Sequence, residues 1–176
     1  MTVYGVSYDS VGRQPIVLLR TSDGRRVLPI WIGSGEANAI LTKLKGSDPP
    51  RPMTHDLLQS LVDLVGASVL RVAVTELRDN TYYAMITLRI NGEDVELDSR
   101  PSDAIALAVR VQAPIFAEAT VLEKAGVALD GDATNGDSET TAEASPAVRE
   151  EEMKKLSVFR DFINTLDLDD LGKREK

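Results

Sequence analysis

The 176-residue chain contains no cysteine, which excludes disulfides, thiolate metal sites and cysteine nucleophiles together. Its single histidine, His55, rules out a His-x-x-x-His metal motif. Aromatics are scarce: one tryptophan, four tyrosines and three phenylalanines. That leaves little with which to stack single-stranded bases. No uncharged segment of residues 1–127 exceeds nine residues, the length of Val27–Gly35, far short of the roughly 18–20 a membrane span needs. Met1-Thr2-Val3-Tyr4-Gly5 lacks a basic stretch followed by an apolar one, so no secretory signal is expected and the cytoplasm is the default compartment. Glycine-rich phosphate loops and repeated Asp-x-Asp are missing too, and Gly33-Ser34-Gly35 is too short to count as either.

Positive charge is also in short supply. Residues 1–127 carry 13 Lys+Arg against 15 Asp+Glu, and residues 128–176 carry 7 against 13. Affinity for nucleic acid comes largely from basic side chains neutralising phosphates. Any such binding is therefore expected to be weak, or confined to a small patch drawn from Arg20, Arg25, Arg26, Arg71, Arg78 and Arg89.

What is present reads as α+β. Val3–Tyr8, Ile16–Arg20 and Arg26–Ile32 read as strands, with Asp23-Gly24 as a hairpin signal. Pro29 points to an edge or a bulge in the third of them. Glu36–Lys45 reads as a helix stopped by Gly46, and a second helix is predicted over Thr54–Val65. Three more strands follow at Val69–Leu77, Tyr82–Ile90 and Asp94–Asp98, with the last two joined by Asn91-Gly92. An alanine-rich helix over Pro101–Val111, a short strand near Ala113–Phe116 and a helix over Ala119–Ala125 complete the set. Two β-β-β-α units are expected at an offset of 67 residues, building an antiparallel or mixed sheet with packed helices. Residues 1–127 form the domain in this reading. Residues 128–146 lack aromatics and read as a flexible acidic linker. Residues 147–176 read as a C-terminal amphipathic helix and tail, with Met153, Leu156, Phe159, Phe162, Ile163 and Leu166 on its apolar side.

The chemistry concentrates in two stretches, Arg51-Pro52-Met53-Thr54-His55-Asp56 and Asp98-Ser99-Arg100-Pro101-Ser102-Asp103, each preceding an apolar helix. Two arginines, Arg51 and Arg100, can hold a phosphodiester through paired hydrogen bonds. Thr54 and Ser102 stand where helix N-termini offer free N–H groups to an anion. An imidazole such as His55 serves as general acid or base near neutral pH. Asp56, Asp98, Asp103 and Glu36 are oxygen ligands of the kind that Mg²⁺ or Mn²⁺ takes in phosphoryl chemistry. The plainer alternative is structural: Thr54 and Ser102 as N-caps, the acids opposing helix dipoles, and the arginines paired internally.

Leu28-Pro29-Ile30-Trp31-Ile32-Gly33, Glu36-Ala37, Arg51–Leu57, Asp98–Ala104 and Pro114-Ile115 occur in an order that resembles the bifunctional nuclease (BFN) domain family over residues 3–127. The resemblance implies a small α+β domain that assembles as a homo-oligomer and cleaves both DNA and RNA. It places the characteristic polar positions at Glu36, Arg51, Thr54, His55, Asp56, Asp98, Arg100, Ser102 and Asp103. Two functions follow as expectations. In a phosphodiesterase, Arg51 and Arg100, with Thr54 and Ser102, hold the phosphate. His55, Asp56, Asp98 and Asp103 carry the chemistry, and Asp98, Asp103 and Glu36 hold the divalent cation. In a non-catalytic oligomeric regulatory or scaffold module, the same polar cluster is structural.

Overall fold

A computed structural model of the chain describes residues 1–9, 13–47 and 49–129. β1 (Thr2–Tyr8), β2 (Pro15–Arg20) and β3 (Arg26–Trp31) form an antiparallel meander, followed by α1 (Ser34–Leu44) and α2 (Thr54–Leu64). β4 (Ser68–Arg78), β5 (Thr81–Ile90) and β6 (Glu93–Ser99) form a second meander, and α3 (Pro101–Val111) returns from it. β7 (Ile115–Ala117), α4 (Ala119–Ala125) and β8 (Val127–Ala128) close the described chain. The α+β class and the repeated β-β-β-α order are as expected from the sequence. The tight turns also follow their residues. Asp79-Asn80 and Asn91-Gly92 have positive φ at both central positions, the type I′ geometry whose twist suits a two-stranded ribbon.

The strands divide between two sheets of four, ordered β1-β2-β3-β8 and β6-β5-β4-β7. β7 runs parallel to β4; the other pairings are antiparallel. Val127 and Ala128 pair with Val27 and Arg26 of β3, so the start of the expected linker is a strand. The rest of that linker beyond Leu129, and the predicted C-terminal helix, lie outside the described residues. Pro29 sits past the end of this short pairing. Its missing N–H therefore breaks no ladder bond, and its carbonyl accepts a hydrogen bond from the Tyr82 hydroxyl at 3.1 Å.

Both sheets and three helices share one core. Val17, Leu19, Leu28 and Ile30 meet Val72, Val74, Ala84 and Ile86, together with Ala37 and Ile40 of α1, residues 104–108 of α3 and Val121 of α4. α3 is the centre, with eight of its eleven residues buried. Alanines at 104, 106 and 108 let α1, α2 and the second sheet approach it closely. Ile105 and Leu107 fill the space between, each burial contributing about 1.5–3 kcal/mol. α3 thereby fixes the position of everything carried on its two ends.

Candidate active site

α1, α2 and α3 each place an acidic residue at their third position: Glu36, Asp56 and Asp103. A carboxylate there opposes the positive end of the helix dipole and meets N–H groups that lack a partner in the helix. Arginines then claim all three. Asp103 Oδ2 accepts from Arg100 Nε at 2.7 Å, and its Oδ1 accepts from Arg100 Nη2 at 3.2 Å. The same Nη2 lies 2.8 Å from Glu36 Oε1. Gly33 makes this possible, because a Cβ there would collide with the Glu36 carboxylate. His55 Nε2 completes the cluster, 3.0 Å from Asp103 Oδ1. Three helix N-termini are thus tied through one guanidinium and one imidazole.

Asp56 belongs to a second cluster, back to back with the first. Its Oδ2 accepts the Met53 N–H at 2.8 Å, and its Oδ1 accepts from Arg110 Nε at 2.6 Å. Arg110 is almost wholly enclosed, its side chain 1% exposed. Its Nη1 donates to the carbonyls of Ala39 and Ala106 at 3.2 and 2.8 Å. A cavity of about 210 Å³ opens beside this pair, lined by Thr42, Lys43, Ser47, Pro49 and Pro52. His55 and Asp103 do not line it.

The electrostatics follow the contacts. Burial alone would raise the Asp103 carboxyl, but hydrogen bonds from Arg100 and His55 outweigh it and hold the group below its usual value of 3.8. Asp56 behaves alike, with burial overcome by the Met53 N–H and by Arg110. Arg100 is held more firmly protonated, chiefly by its hydrogen bond to Asp103. An ionised carboxylate can only accept, so at neutral pH Nε2 of His55 carries a hydrogen. Nδ1 is left as the nitrogen able to take a proton.

The sequence-predicted residues separate into groups. Glu36, His55, Arg100 and Asp103 are brought together. Asp56 lies next to His55 in the chain but turns to Arg110. Thr54 is the first residue of α2, not its cap; Met53 takes the cap position, and the Asp56 carboxylate rather than a Thr54 hydroxyl serves the Met53 N–H. Likewise Arg100, not Ser102, precedes α3 as its cap residue, and Ser102 is buried in the first turn. Arg51 is exposed and has no hydrogen-bond or ion-pair partner among the described residues. Asp98 is exposed opposite Met85, on the other face of the sheet from Ile86 and Leu97. It is therefore turned away from the His55 cluster.

Among the described residues no three His, Asp or Glu side chains converge to hold a metal ion. Glu36 and Asp103 are already neutralised by Arg100, and Asp98 faces elsewhere. The donor set as folded does not fit Mg²⁺ or Mn²⁺; a cation would have to displace Arg100 first. Sequence reading missed Arg110 altogether. The signal was a lone charge inside the apolar run from Ala104 to Val111, which demands a buried partner. It also missed Ser99, whose Oγ is buried with no hydrogen-bond partner among the described residues.

Comparison with known proteins adds the rest. A model of the bifunctional nuclease domain matches residues 17–130. An uncharacterized protein of Mycobacterium tuberculosis (strain ATCC 25618 / H37Rv) is 39% identical over 168 residues, covering 96% of this chain and 94% of that protein. Bifunctional nuclease 1 of Oryza sativa subsp. japonica is 31% identical over 110 residues, covering 61% of this chain and 33% of that protein. Bifunctional nuclease 1 of Arabidopsis thaliana is 32% identical over 105 residues, covering 57% and 32%. The chain thus spans about a third of each plant protein's length.

Proposed function

This chain belongs to the bifunctional nuclease domain family, and on that premise we propose that it is a nuclease hydrolysing phosphodiester bonds of DNA and RNA at His55. The observation that carries the reading is the 3.0 Å contact between His55 Nε2 and Asp103 Oδ1. A carboxylate holding one imidazole nitrogen fixes the ring and leaves the other nitrogen to act as general base. In this reading Nδ1 takes a proton from water as the water oxygen attacks phosphorus. The bond to the leaving nucleoside oxygen breaks, and that oxygen takes its proton from solvent. Arg51, exposed and without a partner among the described residues, binds a phosphate oxygen. Arg100 keeps Asp103 ionised and offers its outer edge, with 66% of its side chain exposed. No step is assigned to a cation. Binding is weak in this proposal, because residues 1–127 carry more acidic than basic side chains.

A second reading rests on a different observation. Glu36, Asp56, Asp103, Arg100 and Arg110 all have partners inside the protein. A network so satisfied can be purely structural, in an oligomeric regulatory module. One experiment separates the two: cleavage of DNA and RNA by wild type, His55→Ala and Asp103→Asn, with and without EDTA. Loss in both variants, with each still folded at the assay temperature, supports the nuclease. Equal cleavage by all three marks a contaminant and rejects it. A fall in melting temperature without any wild-type cleavage supports the structural network.

A further inference from the structure

The 210 Å³ cavity lies where three helix ends meet: the last turn of α1, the first turn of α2 and the last turn of α3. Pro49 and Pro52 give it an apolar side, and its charged groups are Lys43, Asp56 and Arg110. Arg110 is the unusual wall. Its Nε and Nη1 are engaged by Asp56, Ala39 and Ala106, but Nη2 donates to nothing among the described residues. Nor is Nη2 sealed off, since the fully enclosed side-chain atom that lacks a partner among the described residues is Ser99 Oγ. The 1% of the Arg110 side chain that stays accessible therefore includes Nη2, on the cavity wall. A nearly buried cationic donor left unserved is costly, so the position calls for an acceptor.

Charge narrows what that acceptor is. Asp56 is matched by Arg110 Nε and the Met53 N–H. Lys43 has no ion-pair partner among the described residues, which leaves the wall with one positive charge in excess. The end of α1 does not offset it, because the carbonyls of Leu41, Thr42 and Lys43 already accept from Lys45, Ser47 and Gly46. We propose that the cavity binds a small monocarboxylate, its oxygens held by Arg110 Nη2 and Lys43 and its short apolar body lying against Pro49 and Pro52. Each cation gives the carboxylate a charge-assisted hydrogen bond. A phosphate monoester, with about −1.5 to −2 charges at neutral pH, exceeds the single positive charge and meets Asp56 beside it. The volume falls below the roughly 300–1,000 Å³ that drug-sized ligands occupy, so the body is short. Nothing in this site depends on the nuclease reading.

The test uses the full chain, with acetate, butyrate, benzoate and inorganic phosphate as probes. Amide resonances of isotope-labelled protein should shift saturably at Thr42, Lys43 and Met53, and butyrate should bind several-fold more tightly than acetate. Saturating butyrate should also raise the melting temperature, as any ligand of the folded state does. Lys43→Gln breaks no contact within the described residues, so it should melt as wild type does without ligand. It should nevertheless bind butyrate about tenfold more weakly or worse, the worth of a charged hydrogen bond. If no carboxylate saturates, the cavity holds water only and the proposal is overturned. Phosphate binding as tightly as butyrate, butyrate no tighter than acetate, or equal affinity in Lys43→Gln overturns it as well.

Discussion

His55 Nε2 stands 3.0 Å from Asp103 Oδ1, which joins the first turn of α2 to the first turn of α3. The contact decides which imidazole nitrogen is free. If Nδ1 is the base, His55→Ala and Asp103→Asn should each lower cleavage by about 10²–10⁴-fold, the usual contribution of positioned acid–base catalysis. Arg51→Ala should weaken substrate binding and leave turnover at saturation close to wild type. Steady-state cleavage of a short oligonucleotide distinguishes these effects. Equal losses of binding and turnover in Arg51→Ala would remove it from the phosphate site.

Acid should loosen the domain through two particular groups. Asp56 and Asp103 have folded values below 3.8, so the unfolded chain binds more protons than the folded one as pH approaches 3.8 from above. Their stabilisation is complete above the unfolded value and is lost as pH falls through the depressed folded values. Melting temperature followed from pH 6 downward should therefore drop more steeply in wild type than in Asp103→Asn. Parallel curves would contradict the ionic account of the cluster.

Arg110 offers a sterner test of packing. Arg110→Met leaves Asp56 without its cation and two carbonyls, of Ala39 and Ala106, without a donor. Breaking a buried pair this way costs about 3–5 kcal/mol, and the 31% exposure of Asp56 places the expected loss at the lower end. Arg110→Lys should recover little of it, since an ammonium lacks the planar fork that serves Nε and Nη1 contacts at once. Urea denaturation gives the number directly.

Gly33 and Glu36 should behave as one site. Alanine at 33 pushes the Glu36 carboxylate off Arg100, and Glu36→Gln removes its charge. Each change alone is expected to cost under about 1 kcal/mol, because Arg100 is largely exposed. The double variant should cost no more than the larger single change, since both remove the same contact. Additive losses would mean that the two residues act separately.

Much of this was legible in the residues. Turn chemistry at Asn91-Gly92, and the boundaries of α3 and α4, came out at their observed positions because local signals there agree with packing. The convergence of the Arg51–Asp56 and Arg100–Asp103 stretches was a reasonable inference from matched helix starts. Orientation was not legible. Asp98 differs from Leu97 by one step along β6, and that step decides which face of the sheet it occupies. His55 and Asp56 are adjacent, yet a turn of 100° sends one to Asp103 and the other to Arg110. For α2, helical periodicity marks an apolar stripe but not whether the stripe faces its own core.

Those two adjacent residues hold α2 at separate points. Asp103 and Arg110 sit near opposite ends of α3, so α2 is pinned twice against a helix that is itself buried in the core. A body pinned once can swivel; pinned twice it keeps its heading. Losing either His55 or Arg110 would therefore free α2 to pivot, and its exposed leucines, Leu57, Leu61 and Leu64, would point in a new direction. The place of His55 at one end of the helix and the direction of its apolar flank are in that sense set by the same pair of fasteners.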